Sequence, residues 1–173
     1  MENPLFNEVG INPGETYKFG DWKGYAIHDD KKICGFFGEF RFLSNFEYAP
    51  TYYEGILYPT SENAYQAAKI VPEQRAAFVT CSAAASKKLW KTLTRLDKDS
   101  AEWDARKLDV MNIIVFDKFY RNKDLRVKLL NTHNKYLEET LHWCDVFWGV
   151  DIRKGGENNL GKILTKVRAY WQW

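Results

Sequence analysis

Glu62, Gln66 and Lys69 stand i, i+4 and i+7, so a helix carries all three on one face. That face is polar and carries a carboxylate, an amide and an ammonium, which the spacing alone groups without assigning a function. The same spacing also describes an ordinary solvated face with an acid near a helix start. A second grouping is DVFWGVDIRKGGENNLG, residues 145–161. It holds the acid Asp145, the adjacent rings Phe147 and Trp148, then Gly149, Arg153, Lys154, Gly156 and Asn158 ahead of a helix. Glycines before a helix let backbone N–H groups approach an anion. The spacing is neither a P-loop nor a dinucleotide fingerprint, and taken alone it reads as a turn into a capped helix. Trp103, near the start of a long helix, reads by itself as core.

No metal chemistry is expected. Cys34, Cys81 and Cys144 are scattered and odd in number, and His28, His133 and His142 are equally dispersed. His142 and Cys144 lie close to Asp145 but lack the second pair of ligands that a zinc site needs. No cofactor is implied.

Helices and turns must position these residues. Pro59 opens the helical part, with Thr60 or Ser61 capping a helix that runs to about Ile70, where Pro72 stops it. Further helices are predicted over about Glu73–Val79, Ser82–Leu93, a long one from a cap at Asp99 or Ser100 to about Arg121, and Asp124–Asn131. In the long helix Leu108, Met111, Val115 and Phe119 form the inward stripe. Asn158 or Asn159 caps the last helix, which buries Leu160, Ile163, Leu164 and Val167. Short strands are predicted at Thr16–Phe19 and Tyr25–His28, and as a hairpin of Tyr52–Tyr53 with Ile56–Tyr58 about Glu54–Gly55. The fold class is therefore α+β: a mostly helical single domain with a few short strands near its N-terminal side.

The chain has 173 residues, 45% of them apolar, enough for one domain with a real core. Its net charge of +2 argues against strong non-specific binding to a phosphate backbone. It carries 7 Trp, 10 Tyr and 11 Phe, which could wall a base-stacking cleft. With no stripe of Lys and Arg beside them in sequence, most read as core. The N-terminus lacks the pattern of a signal peptide, and no apolar run reaches the ~20 residues of a membrane span, so a cytoplasmic place is expected.

Together the separate signals gain meaning. LSNF (43–46), YPTSENAYQAAK (58–69), Trp103, D-x-x-W-G (145–149), G-x-N-x-L-G (156–161) and LTKVR (164–168) occur in the order found in the NADAR or YbiA-like family, which the chain resembles over about residues 36–170. Residues 1–35 then form an N-terminal extension, and 36–173 the domain. The resemblance implies an N-glycosidase that cleaves the bond between a (phospho)ribosyl group and a nitrogenous base. Its substrates would be phosphoribosylamino-pyrimidine intermediates of riboflavin synthesis or, alternatively, ADP-ribose attached to guanine in nucleotides or nucleic acid. It places the family's acid on Glu62, its tryptophan on Trp103 and its second acid on Asp145. The position after the acid, usually His, is Asn63, which cannot titrate.

In such a site Glu62 acts on the sugar side as general base or stabiliser of the oxocarbenium-like state, by analogy with paired-carboxylate glycosidases. Asp145 is a second acid/base or a positioning group, and Trp103 and Trp148 stack on the base. Lys69, Arg153 and Lys154 are candidates for phosphate, and Asn45, Asn63, Gln66 and Asn158 for ribose hydroxyls or the base edge, beside Gly149 and Gly156. A non-catalytic nucleotide-binding module and a structural protein are the rival readings.

Overall fold

The computed structural model describes residues 16–18, 25–141 and 144–172, with backbone only at 16–18, 25 and 26. In chain order come strands β1 (Thr16–Lys18), β2 (Tyr25–His28) and β3 (Lys32–Cys34), a 3-10 segment (Gly38–Leu43), and strands β4 (Thr51–Tyr53) and β5 (Ile56–Tyr58). Helix α1 (Ser61–Ala67), a 3-10 segment (Pro72–Phe78) and helix α2 (Ala83–Leu89) follow, α2 running on into 3-10 turns at Trp90–Thr92. Helices α3 (Ser100–Arg121) and α4 (Lys123–Leu130), strands β6 (Tyr136–Glu138), β7 (Thr140–Leu141) and β8 (Val150–Asp151), and helix α5 (Asn159–Tyr170) complete the order. The class is α+β. These elements fall into two compact units, 45–128, and 1–44 together with 129–173.

In the unit 45–128, Glu54 and Gly55 have φ of 42° and 89°, the doubly positive backbone that a two-residue hairpin turn needs. They join β4 to β5 with Tyr53 opposite Ile56, as the sequence predicts. Alternation buries Thr51, Tyr53 and Tyr58 and turns Tyr52 and Leu57 outward. Helix α3 packs on β4: Asp117 accepts the Tyr52 N–H at 2.6 Å, and the Asn122 amide donates to the Pro50 carbonyl at 2.9 Å. Its N-cap is Asp99, whose carboxylate accepts from the N–H groups of Ala101 and Glu102. The buried stripe is Val110, Met111, Ile114, Val115 and Phe119. Leu108 departs from prediction at 41% exposed. It has the right spacing but lies in Ser100–Asp109, a stretch in which no residue is buried.

Two helical predictions change character. Residues 72–78 wind as 3-10 helix, and α1 stops at Ala67 rather than near Ile70. The cause is non-local: Val71 N–H donates to the Thr94 carbonyl and Leu96 N–H to the Lys69 carbonyl, so Ile70 forms an antiparallel bridge with Arg95.

In the other unit four strands form a sheet in the order β1-β2-β3-β6. β1, β2 and β3 are antiparallel, and β3 pairs parallel with β6, setting Ile33 opposite Leu137. Both residues are buried. Helix α5 packs on β6 and buries Leu160, Ile163, Leu164 and Val167, the predicted face. Strands are thus not confined to the N-terminal side: β6, β7 and β8 lie late in the chain. At two or three residues each they are too short to display period-two alternation, and β6 finds its partner through a remote parallel pairing.

Candidate active site

Helix α1 starts under two independent constraints. Thr60 extends before it, and its hydroxyl accepts the Asn63 N–H at 3.1 Å. The next orphan donor, Glu62 N–H, is taken by the Asn45 carbonyl at 3.0 Å. Glu62 is thereby fixed in the first turn, where the helix dipole favours its charge. The polar face is not solvated: Glu62 is 7% exposed and Gln66 4%. Gln66 Nε2 donates to Glu62 Oε1 at 2.7 Å, and Gln66 Oε1 accepts from Lys69 Nζ at 2.7 Å. The three residues form one chain of bonds along the face that their spacing predicts.

Aromatic rings close around the lysine. Lys69 Nζ lies 4.6 Å from the centroid of Trp90, 4.8 Å from Tyr65 and 5.5 Å from Trp103. Tyr65 and Trp103 touch at 5.2 Å. Arg106 covers Trp103 at 4.7 Å, bonds to both oxygens of Asp97 and donates to the Ala68 carbonyl. Its hydrogen bond to Asp97 raises its pKa above the ordinary arginine value. Arg95 approaches the Trp90 ring and Lys87 the Phe46 ring. Cations therefore do stand beside rings in the fold, against the sequence expectation, because residues 69, 90, 95, 103 and 106 meet only on folding. Tyr65 had a signal, lying between Glu62 and Lys69 at helical spacing. Trp90 and Arg106 had none.

Two asparagines of this region are engaged differently. Asn63, expected to touch substrate, is wholly buried. Its Nδ2 donates to the carbonyls of Phe78 and Cys81, each at 2.9 Å, and its Oδ1 accepts from Thr60 Oγ at 2.5 Å. Those bonds tie α1 to the turn after the 3-10 segment and leave the amide committed to protein. Asn45 differs. Its Nδ2 contacts Met111 Sδ at 3.3 Å, while its buried Oδ1 meets no partner among the described residues.

The segment 145–158 is a folded knot of its own. Asp145 is half-buried, and its Oδ1 accepts the Trp148 N–H at 3.0 Å. Trp148 packs edge-on against Phe147 at 4.9 Å. The N–H groups of residues 157–160 donate to the carbonyls of Val146, Gly149, Phe147 and Trp148 in turn. These four amides are therefore engaged within the protein. Asn158 sits at the N-cap position with φ of 54° but caps nothing with its side chain. That side chain donates to the Leu137 carbonyl and the Tyr136 hydroxyl and accepts from Glu139 N–H, tying the start of α5 to β6. A side chain on Gly149 would collide with the Glu139 carbonyl and Leu141, and one on Gly156 with the Gly149 backbone. Their smallness serves close packing.

Arg153 and Lys154 are exposed. The sequence did not single out Asp151, which is buried and accepts from the N–H groups of Cys144, Arg153 and Lys154 and from the Arg153 guanidinium. The Arg153 N–H bond leads in holding its carboxyl well below the usual carboxylate range. His142 lies outside the described residues. Among the described residues, no group of three His, Cys, Asp or Glu is placed to hold a metal ion. None of the described helices is long and apolar enough to cross a membrane.

Of the predicted residues, the unit 45–128 brings together Glu62, Gln66, Lys69 and Trp103, with Asn45 at the helix start. The other unit holds Asp145, Trp148, Gly149, Arg153, Lys154, Gly156 and Asn158. Fold and site define an α+β protein with a buried carboxylate near a wall of aromatic rings. The chain belongs to the NADAR domain family, which matches residues 27–171. It is 34% identical over 129 residues to an N-glycosidase of Nostoc punctiforme, covering 73% of this chain and 82% of that one. It is also 34% identical to a riboflavin biosynthesis protein of Vibrio vulnificus, over 76% of this chain and 35% of that longer one. The solution NMR structure of Escherichia coli YbiA superposes with a TM-score of 0.71 at 26% identity, over 85% of this chain and 88% of that one. The enzyme class expected from sequence, a hydrolase of N-glycosyl compounds, is the class that such relatives carry in their names.

Proposed function

We propose that this protein hydrolyses the N-glycosidic bond between a (phospho)ribosyl group and a nitrogenous base, with a phosphoribosylamino-pyrimidine as substrate. The observation that carries the reading is Glu62, buried in the first turn of α1 and joined through Gln66 and Lys69 to the Tyr65–Trp90–Trp103 wall. Cleavage leaves positive charge on the sugar as the base departs. Glu62 stabilises that charge or takes a proton from the attacking water, which adds to the anomeric carbon. Trp103 offers its face to the base. Asn45 has a buried oxygen with no partner among the described residues, which suits a hydroxyl or amino donor. Asp145 takes the second acid/base or positioning role and Trp148 a second stacking role. Arg153 and Lys154, exposed in the same unit, suit a phosphate.

No metal or cofactor enters this mechanism, and the cytoplasm is the compartment proposed. Residues 36–173 form the catalytic domain in this reading, and the pairing of β3 with β6 favours an earlier boundary, near residue 27. Replacing Glu62 by Gln keeps shape and removes charge. Turnover of a phosphoribosylamino-pyrimidine is expected to fall by about 10²–10⁴-fold with folding intact. Near-normal turnover would refute the assignment, and nucleotide binding without released base would favour the binding-module reading.

One observation favours ADP-ribose on guanine in nucleic acid as the substrate. Lys87, Lys88, Lys91, Arg95 and Lys98 are all exposed and flank Trp90, which touches both Arg95 and the site lysine Lys69. Such a strip suits a phosphodiester backbone. Under this reading a labelled single-stranded oligonucleotide binds with log affinity falling against log salt by about 0.7 per phosphate contacted. A Lys87, Lys88, Lys91 triple alanine variant flattens that slope. Equal affinity in both proteins would leave the small-molecule reading alone.

A further inference from the structure

The Gln66 amide stands between a carboxylate and an ammonium, and its orientation is forced. Lys69 can only donate, so the Gln66 carbonyl must face it and the Nε2–H group must face Glu62. Rotated by half a turn, the amide would set donor against donor and acceptor against acceptor. Both bonds are 2.7 Å, short enough for charge-assisted contacts, and the two residues at the carboxylate end are almost fully buried. Lys69 is held at its other side by rings, and its backbone is pinned by the bond from Leu96 N–H. Of the cations on the elements packed on α1, Arg75 pairs with Glu54, Arg106 with Asp97, Lys107 with Asp104 and Arg121 with Asp117, while α2 adds the exposed Lys87 and Lys88 and α3 the buried Lys118. Burial raises Tyr53 and Tyr58 to about 12, so both remain neutral phenols.

We propose that Gln66 is a positioning residue that fixes the Glu62 carboxylate in its reactive orientation while keeping Lys69 one amide away from it. This rests on the role of Glu62 given above and does not use Gln66 as a ligand for ribose. The physical reason lies in charge. An ammonium bonded directly to Glu62 would orient it but cancel much of the negative potential that a cationic sugar needs. A neutral amide orients it and leaves the charge in place. The lysine in turn polarises the amide, so its N–H donates more strongly to the Glu62 carboxylate.

The test uses Gln66→Glu and Gln66→Met, with Glu62→Gln as reference. The readouts are the pH profile of kcat on a phosphoribosylamino-pyrimidine and the titration of the Glu62 carboxyl by 13C NMR in the free protein. Gln66→Glu places a second carboxylate beside the first, so the acidic limb and the NMR titration both move up by about one unit or more. Gln66→Met removes the donor from a buried carboxylate, which moves the titration the same way and lowers kcat by about 10²-fold, with KM within about threefold. An amide that served only the fold would lower Tm and leave the titration in place. A titration and acidic limb unmoved in both folded variants would overturn the proposal, as would a raised KM with unchanged kcat, the mark of a ribose contact. If Glu62→Gln keeps near-normal turnover, the proposed function itself fails. The substrate-free titration of Glu62 then still reports whether Gln66 holds that carboxyl.

Discussion

Replacing Asn63 by Ala separates a scaffold role from a substrate role. The side chain is wholly buried and makes four bonds to protein: from its Nδ2 to the carbonyls of Phe78 and Cys81 and to Cys81 Sγ, and to its Oδ1 from Thr60 Oγ. Alanine leaves two carbonyls and one hydroxyl with a lost partner. Each buried polar group so stranded costs about 1–3 kcal/mol. The half-buried turn at Cys81 can recover water, and carbonyls tolerate one empty lone pair, which places the total near the low end, about 3 kcal/mol. For a chain of this length that corresponds to a drop in Tm of about 6–12 °C. The backbone bond from Asn63 N–H to Thr60 survives, so α1 keeps its cap. Urea unfolding measures the loss, and steady-state kinetics well below Tm measure the site. The expected outcome is a large stability loss with KM within about twofold of wild type. A tenfold rise in KM with unchanged stability would show that Asn63 meets substrate and that its bonds to the 78–81 turn are dispensable.

Three further outcomes follow from the same geometry. Burial lowers the pKa of His28 below its ordinary 6.5, its Nε2 lying 2.9 Å from the Gly35 carbonyl and its Nδ1 without a partner among the described residues. The unfolded chain then binds the proton more readily. Stability is therefore full above pH 6.5 and falls as the pH drops through that value, a slope that His28→Gln should remove in urea titrations at pH 5–7.5. Iodoacetamide with mass spectrometry should modify exposed Cys144 first and Cys34 last, because burial pushes the Cys34 thiol up to about 11. Early labelling of Cys34 would contradict its burial. Gly149→Ala forces a methyl group against the Glu139 carbonyl and Leu141, and a loss of about 2–4 kcal/mol in chemical denaturation is expected. A neutral result would mean that the 145–149 turn shifts freely.

The helices were legible where signals were local. Asp99 ahead of a long periodic run marked both ends of α3, and the Glu54–Gly55 pair marked the hairpin. Leu108 was misjudged because period says which face points inward but not how far the partner extends. Strands β3, β6, β7 and β8 escaped because two or three residues carry no alternation and their partners are far away in sequence. Gly149 and Gly156 stood out in sequence as a loop that could approach a ligand; in the fold a side chain on either would meet neighbouring backbone, a need for close packing that looks the same in sequence.

Glu62, Gln66 and Lys69 share a face because a helix turns by 100° per residue, and that much the sequence settled alone. Whether the face met water could not be read from it. Burial of Glu62, the amide locked between two charges, and the closure of Trp90 and Trp103 over Lys69 all depend on residues scattered from 62 to 103. The bridge between Ile70 and Arg95 ends α1 early, a pairing of residues 25 apart in sequence. Local periodicity fixes direction along one element. Desolvation and electrostatic environment are sums over neighbours, and only the folded chain supplies them.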